Sequence, residues 1–102
     1  MTVRKLGHTH RPSRVLLCLY VSGQSPHSQR ALRNLGPLCA EALGEGYELE
    51  VVDVLENPEA ADRAGVVATP TLVRVHPPPL RKLLGDMSDR SRVLGWLDPN
   101  AP

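Results

Sequence analysis

The run Leu19-Tyr20-Val21-Ser22-Gly23-Gln24-Ser25-Pro26-His27-Ser28, together with the later Ala68-Thr69-Pro70-Thr71-Leu72, decides how this chain is read. The first is an apolar strand that turns at a glycine and enters a helix. Ser25 suits the N-cap, where a hydroxyl accepts from an orphan backbone N–H. Pro26 suits the first helical position, where its missing N–H costs nothing. The second stretch is a proline leading into a β-favouring run.

The strand extends back to Val15, and residues 15–21 are nearly all apolar, as expected for a strand buried on both faces. The helix after Pro26 carries Leu32, Leu35, Cys39 and Ala42 on one stripe and ends at Gly44 and Gly46. Gly36-Pro37 falls inside it. Proline there removes a backbone bond, but the stripe stays in phase, so a kink rather than a break is expected.

Residues 47–54 form a second strand, alternating Leu49 and Val51 with Glu48 and Glu50. Asn57 caps a short helix, with Pro58 first and Glu59 in the opening turn, where an acid complements the helix dipole. Gly65 closes that helix. A third strand spans 71–75, Pro77, Pro78 and Pro79 interrupt, and a fourth spans 80–84. Gly85-Asp86 turns the chain. Ser88 caps a last helix with Val93, Leu94 and Leu97, and Asp98-Pro99 stops it. The order is βαβαββα, a thioredoxin-like α/β arrangement with helices on both faces of a four-stranded mixed sheet.

The chain has 102 residues, enough for one domain with a single core. Hydrophobic residues make up 41%, with no Phe and one Trp, so that core is aliphatic. The domain reads as 14–98, with tails at 1–13 and 99–102. The first tail, holding His8 and His10, reads as mobile and solvated rather than as a metal site. A net charge of +1 argues against capture of nucleic acid or anionic membrane. No apolar run approaches the ~20 residues of a membrane span, and the start lacks a secretory signal. A cytoplasmic location is the expectation.

Cys18 falls in the first strand and Cys39 on the helix stripe; each reads as a buried, reduced thiol. A disulfide between them requires Cα atoms within about 7 Å and is the weaker reading.

A strand-loop-helix facing a proline loop resembles a thioredoxin-type redox site, with Pro70 in the cis-proline position. The positions of the two thiols hold Ser25 and Ser28. A hydroxyl has no redox ladder, so dithiol exchange is excluded there. A glutathione-binding enzyme is one remaining reading, with Ser25 stabilising the glutathione thiolate and Pro70 pairing with its backbone. The other makes Ser25 a helix cap and Pro70 a loop former. His27 at the helix start reads as solvated. There is no paired-carboxylate set, P-loop, dinucleotide fingerprint or metal-ligand spacing, and no cofactor is expected.

The chain resembles the KaiB circadian clock family. The resemblance runs through the opening stretch and Arg30-Ala31-Leu32, then Val52-Asp53-Val54-Leu55-Glu56-Asn57-Pro58 and Ala68-Thr69-Pro70-Thr71-Leu72. It ends in Pro77-Pro78-Pro79-Leu80-Arg81-Lys82 and Leu84-Gly85-Asp86-Met87-Ser88-Asp89-Arg90. It implies a non-enzymatic regulator that docks on the ATPase ring protein KaiC, in cyanobacteria together with KaiA. A related domain is the sensor of certain histidine kinases, which leaves a stand-alone kinase-directed role open. On this resemblance the partner-binding residues are Asn57, Pro58 and Glu59, with Arg30 a lesser contributor; a plain helix start is the structural alternative.

The family also implies two folds: a thioredoxin-like monomer that binds the ring, and a βαββααβ ground state that forms dimers or tetramers. Pro70 and Pro77 to Pro79 suit a slow switch, since X–Pro bonds isomerise over roughly tens to hundreds of seconds. This chain departs from the family near its end. Val93-Leu94-Gly95-Trp96-Leu97-Asp98 has Trp96 where a glycine is expected, and the usual extension is replaced by Pro99-Asn100-Ala101-Pro102. Gly95 disfavours a strand and Trp96 anchors a helix on a sheet, so Gly85, Gly95, Trp96 and Asp98 join the prolines as fold-determining residues. The thioredoxin-like form is the expected resting state.

Overall fold

The computed structural model describes residues 3–5 and 15–98. In chain order its elements are β1 (Val3–Lys5), β2 (Val15–Val21), α1 (Pro26–Leu43), β3 (Tyr47–Asp53), α2 (Pro58–Ala64), β4 (Thr71–His76), β5 (Arg81–Leu84) and α3 (Arg90–Leu97). The sheet order is β1-β3-β2-β4-β5. β2 and β3 are parallel, and β4, β5 and β1 run antiparallel to their neighbours. This is the thioredoxin-like mixed sheet expected, with Leu19 at its centre between Val51 and Leu72.

The N-terminus differs from the expectation of a tail over residues 1–13. Val3–Lys5 pairs antiparallel with β3, Val3 opposite Val52 and Lys5 opposite Glu50, adding a fifth strand to the four expected. A three-residue strand is held by its backbone ladder, which leaves no periodicity for a sequence reading to detect. His8, His10 and the 99–102 segment lie outside the described residues.

The pleat sends alternate residues to opposite faces. Leu17, Leu19, Val21, Leu49, Val51, Leu72 and Leu83 face α1 and α3, meeting Leu35, Cys39, Val93 and Leu97. Cys18, Tyr20, Val52 and Val73 face α2 through Ala61. The two cysteines therefore sit in different clusters, both free. Burial drives their thiols up, Cys18 to about 11 and Cys39 to about 12.

Most local expectations hold. Ser25 Oγ accepts from the Ser28 N–H at 3.3 Å, and α1 runs unbroken through Pro37. Asn57 occupies the N-cap of α2, yet its side chain makes no capping bond. Ser88 is displaced as the cap of α3: Asp89 takes that place, its Oδ1 accepting from the Arg92 N–H at 3.2 Å. Asp86 accounts for the shift, because its Oδ1 accepts from the Ser88 N–H at 3.1 Å and so holds Ser88 in the preceding turn.

Trp96 lies in α3, partly buried against the core as expected, and Asp98 closes the helix by donating its N–H to Leu94 O at 3.1 Å. Gly95 is exposed in the same helix, with open space where a side chain would project.

Candidate functional site

Four loops meet at the end of the sheet where parallel β2 and β3 finish, the usual place for a site on such folds. They are 22–25, 54–57, 65–70 and 85–89.

The first loop is tied down by its own hydroxyls. Ser28 is fully buried, and its Oγ accepts from the Ser22 N–H at 3.0 Å. Ser25 Oγ is occupied in capping. Ser22 Oγ and Thr69 Oγ1 share a hydrogen bond that joins the first loop to the proline loop. The Thr69–Pro70 bond is cis, Pro70 is buried, and its carbonyl accepts from the Gly85 N–H at 3.0 Å. Thr71 Oγ1 donates to Ala68 O at 2.6 Å. The two halves of the redox-like frame are thus joined by structural hydrogen bonds.

Asp53 organises the next loop. Its Oδ1 accepts from the Gly23 N–H at 3.0 Å and the Leu55 N–H at 2.9 Å, so one oxygen fastens both loops. Sequence reading gave Asp53 no role; the signal available was an Asp at a strand end, where its carboxylate can turn the next two residues. Gly23 has φ +50°, and a Cβ there would stand 3.2 Å from Leu55 Cδ1. Leu55 is 71% exposed and Val67 98% exposed. Val67, with Ser22, Val54, Ala61, Val66 and Thr69, lines a shallow cleft.

Asn57 is half-buried at the start of α2, while Pro58 and Glu59 are exposed. Glu59 pairs with Arg63 one turn on at 3.9 Å, a solvated contact worth little. Arg30 is employed elsewhere. Its Nε meets Asp86 Oδ2 at 3.2 Å and its Nη2 meets His27 Nδ1 at 2.8 Å. Asn34 Nδ2 adds a bond to Asp86 O at 3.0 Å. Hydrogen bonds from Ser88, then from Arg30, hold the Asp86 carboxyl below its ordinary value. Arg30 therefore bolts α1 to the turn before α3, on the face of the sheet opposite α2. The structure brings Arg30 and Asn57 to one end of the sheet without joining them.

Of the remaining prolines, Pro77 is half-buried and Pro78 and Pro79 are exposed in the β4–β5 connection, where Arg74 Nη2 donates to Pro79 O at 3.2 Å. The His76–Pro77 and Pro78–Pro79 bonds are also cis. Gly85 has φ +124°, a conformation that favours glycine. Among the described residues no group of three His, Cys, Asp or Glu side chains could hold a metal ion.

The chain matches the family model of the KaiB domain over residues 18–99. The chain belongs to the KaiB family. It is 51% identical to the circadian clock oscillator protein KaiB of Acaryochloris marina over 83 residues, 81% of this chain and 80% of that one. It is 44% identical to the circadian clock protein KaiB3 of Synechocystis over 86 residues, 84% of each chain. Solved structures confirm the fold. The N-terminal domain of Synechococcus elongatus SasA superposes with TM-score 0.69 at 24% identity, covering 90% of this chain and 87% of that domain. Mitochondrial thioredoxin 3 of Saccharomyces cerevisiae gives 0.69 at 19% identity, covering 83% and 77%. The curated KaiB relatives are named as clock proteins rather than as enzymes.

Proposed function

We propose that this KaiB-family chain is a non-enzymatic regulator of a circadian-clock type. It docks on a KaiC-like ATPase ring and modulates that ring's phosphorylation or ATPase cycle in the cytoplasm. The observation that carries the reading is family membership over residues 18–99 combined with a redox-like frame whose hydroxyls are taken up in capping and loop closure. With Ser25 and Ser28 so committed, the surface left at that end is one for contact. Leu55, Pro58, Glu59 and Val67 are exposed there, with Asn57 beside them.

The docking surface is the start of α2, with Asn57, Pro58 and Glu59 as its contact residues. Arg30 contributes by holding the turn before α3 in place. A KaiA-like protein or a histidine kinase is an alternative partner. The thioredoxin-like form is the binding-competent one and the monomer; exchange with the βαββααβ form belongs to the same proposal.

The decisive experiment is a pulldown with the KaiC-type ATPase of the same genome, using wild type, Glu59→Lys and Pro58→Ala. Capture of the ATPase by wild type, with loss in Glu59→Lys, supports the reading. Capture of a histidine kinase instead moves the chain to the sensor role. Chemical-shift changes at Ser25 and Pro70 on adding glutathione favour the enzyme reading.

A further inference from the structure

Side chains along β4 and β5 alternate between the two faces of the sheet, and the register fixes which residues share a face. Leu72 and Leu83 stand opposite each other and enter the core under α1 and α3. Val73 and Lys82 form the next pair, on the other face. Val73 packs in the cluster with Ala61 of α2, and Lys82 Nζ donates to Gly65 O at the end of α2 at 3.0 Å. One step further the pair is Arg74 and Arg81. The pleat returns both to the face of α1 and α3, side by side, with Cβ atoms about 5 Å apart.

Two like charges directly opposite on a sheet repel, and an acid between them is the usual remedy. No ion pair among the described residues includes either arginine. Residues 1–2, 6–14 and 99–102 contain no Asp or Glu, so no acidic side chain from those segments answers the pair. Arg74 is also incompletely held. Its Nη2 donates to Pro79 O at 3.2 Å, but its Nε is shielded from solvent and has no hydrogen-bond partner. An orphaned buried donor in a native fold marks a place where a further group belongs.

We infer that Arg74 and Arg81 form a binding site for a phosphate group, free as inorganic phosphate or carried by a small molecule. Two guanidiniums bring two positive charges, which a phosphate dianion matches and a carboxylate does not. Its oxygens accept from the fork of Arg81 and from the Arg74 donors that Pro79 does not hold, Nε among them. These bonds are charge-assisted, and seating the anion removes the repulsion between the arginines. Both side chains are half-buried beside the exposed Pro79, so the anion enters from the β4–β5 connection. That connection lies at the opposite end of β4 from the 65–70 loop, so the site is separate from the surface proposed for the ATPase.

The test uses the full chain, isotope-labelled for NMR, in phosphate-free buffer near pH 7.5 at constant ionic strength. Inorganic phosphate and glycerol phosphate are titrated in separately. The expected result is saturable movement of the Arg74 and Arg81 side-chain Nε–H signals and of the amides of residues 73–75 and 80–82. Arg74→Gln and Arg81→Gln should each weaken binding by about tenfold or more. Arg81→Lys keeps the charge without the fork and should fall between wild type and Arg81→Gln. Arg81 lies on an edge strand, and among the described residues its side chain holds no hydrogen bond, so the rest of the Arg81→Gln spectrum should stay that of the folded chain. Tighter binding of glycerol phosphate assigns the site to a phosphomonoester, and tighter binding of inorganic phosphate to the free ion; either supports the site.

The absence of saturable movement overturns the proposal. So does equal movement with acetate or chloride at the same ionic strength, or phosphate binding that is unchanged in Arg81→Gln. Binding that appears only after residues 99–102 are removed also overturns it, because the pair would then be taken by the protein's own C-terminal segment.

Discussion

Asp53 shows how a single carboxylate oxygen can position a surface. It receives both Gly23 N–H and Leu55 N–H, so removing it leaves one part-buried and one exposed backbone donor without their partner. Asp53→Ala should therefore cost about 1 kcal/mol in urea unfolding and broaden the amide signals of residues 22–25 and 54–57. The cysteines are inert for a related reason of environment. Their folded pKa values, about 11 for Cys18 and about 12 for Cys39, lie above the unfolded value of roughly 8.5. A raised folded pKa gives stability that is complete below the unfolded value and is lost as pH rises through the folded one. Unfolding midpoints should fall from about pH 8.5 upward, and a Cys18→Ala, Cys39→Ala double variant should flatten that decline. In the native chain at pH 8, a thiol-specific disulfide reagent should react at a rate limited by opening of the fold. Ser25 belongs to this scale as well: its role as a cap was legible because Ser-Pro is a local signal, whereas the Ser28 bond to Ser22 depends on a turn that brings six residues back together.

At the scale of elements, the helices carry residues that neither packing nor turn geometry requires. Gly36 in α1 and Gly95 in α3 have nothing within 4 Å of the place a Cβ would occupy. Gly→Ala at either site should stabilise the chain by about 1 kcal/mol, seen as a higher urea midpoint with unchanged slope. Trp96→Ala removes the aromatic surface packed against the core and should cost about 2 kcal/mol, less than a fully buried Trp. The start of α3 was misplaced by one residue in the sequence reading because Ser88 and Asp89 are both good caps. Only the Asp86 hydrogen bond to Ser88 N selects between them. The missed strand β1 makes the complementary point: a short edge ladder draws on backbone bonds, which composition does not reveal.

For the whole molecule, the question is which fold the chain rests in. We expect NMR secondary shifts to show helix over Pro58–Ala64 and Arg90–Leu97 and extended backbone over Thr71–His76, with light scattering giving a monomer. Extended shifts over residues 57–64 with helix over 69–75 would falsify that expectation. Along residues 15–98 the element types, their order, the aliphatic core and the absence of thiols from the redox-like frame could all be read from the sequence. These follow from periodicity, caps and residue chemistry, all of which act over a few positions. It took the folded molecule to show that Arg30 braces Asp86, that Asp53 joins two loops and that β1 pairs with β3. Each of these depends on a contact between residues far apart in the chain. A pattern read along one dimension carries no record of which distant groups fall within hydrogen-bonding reach once the sheet has closed.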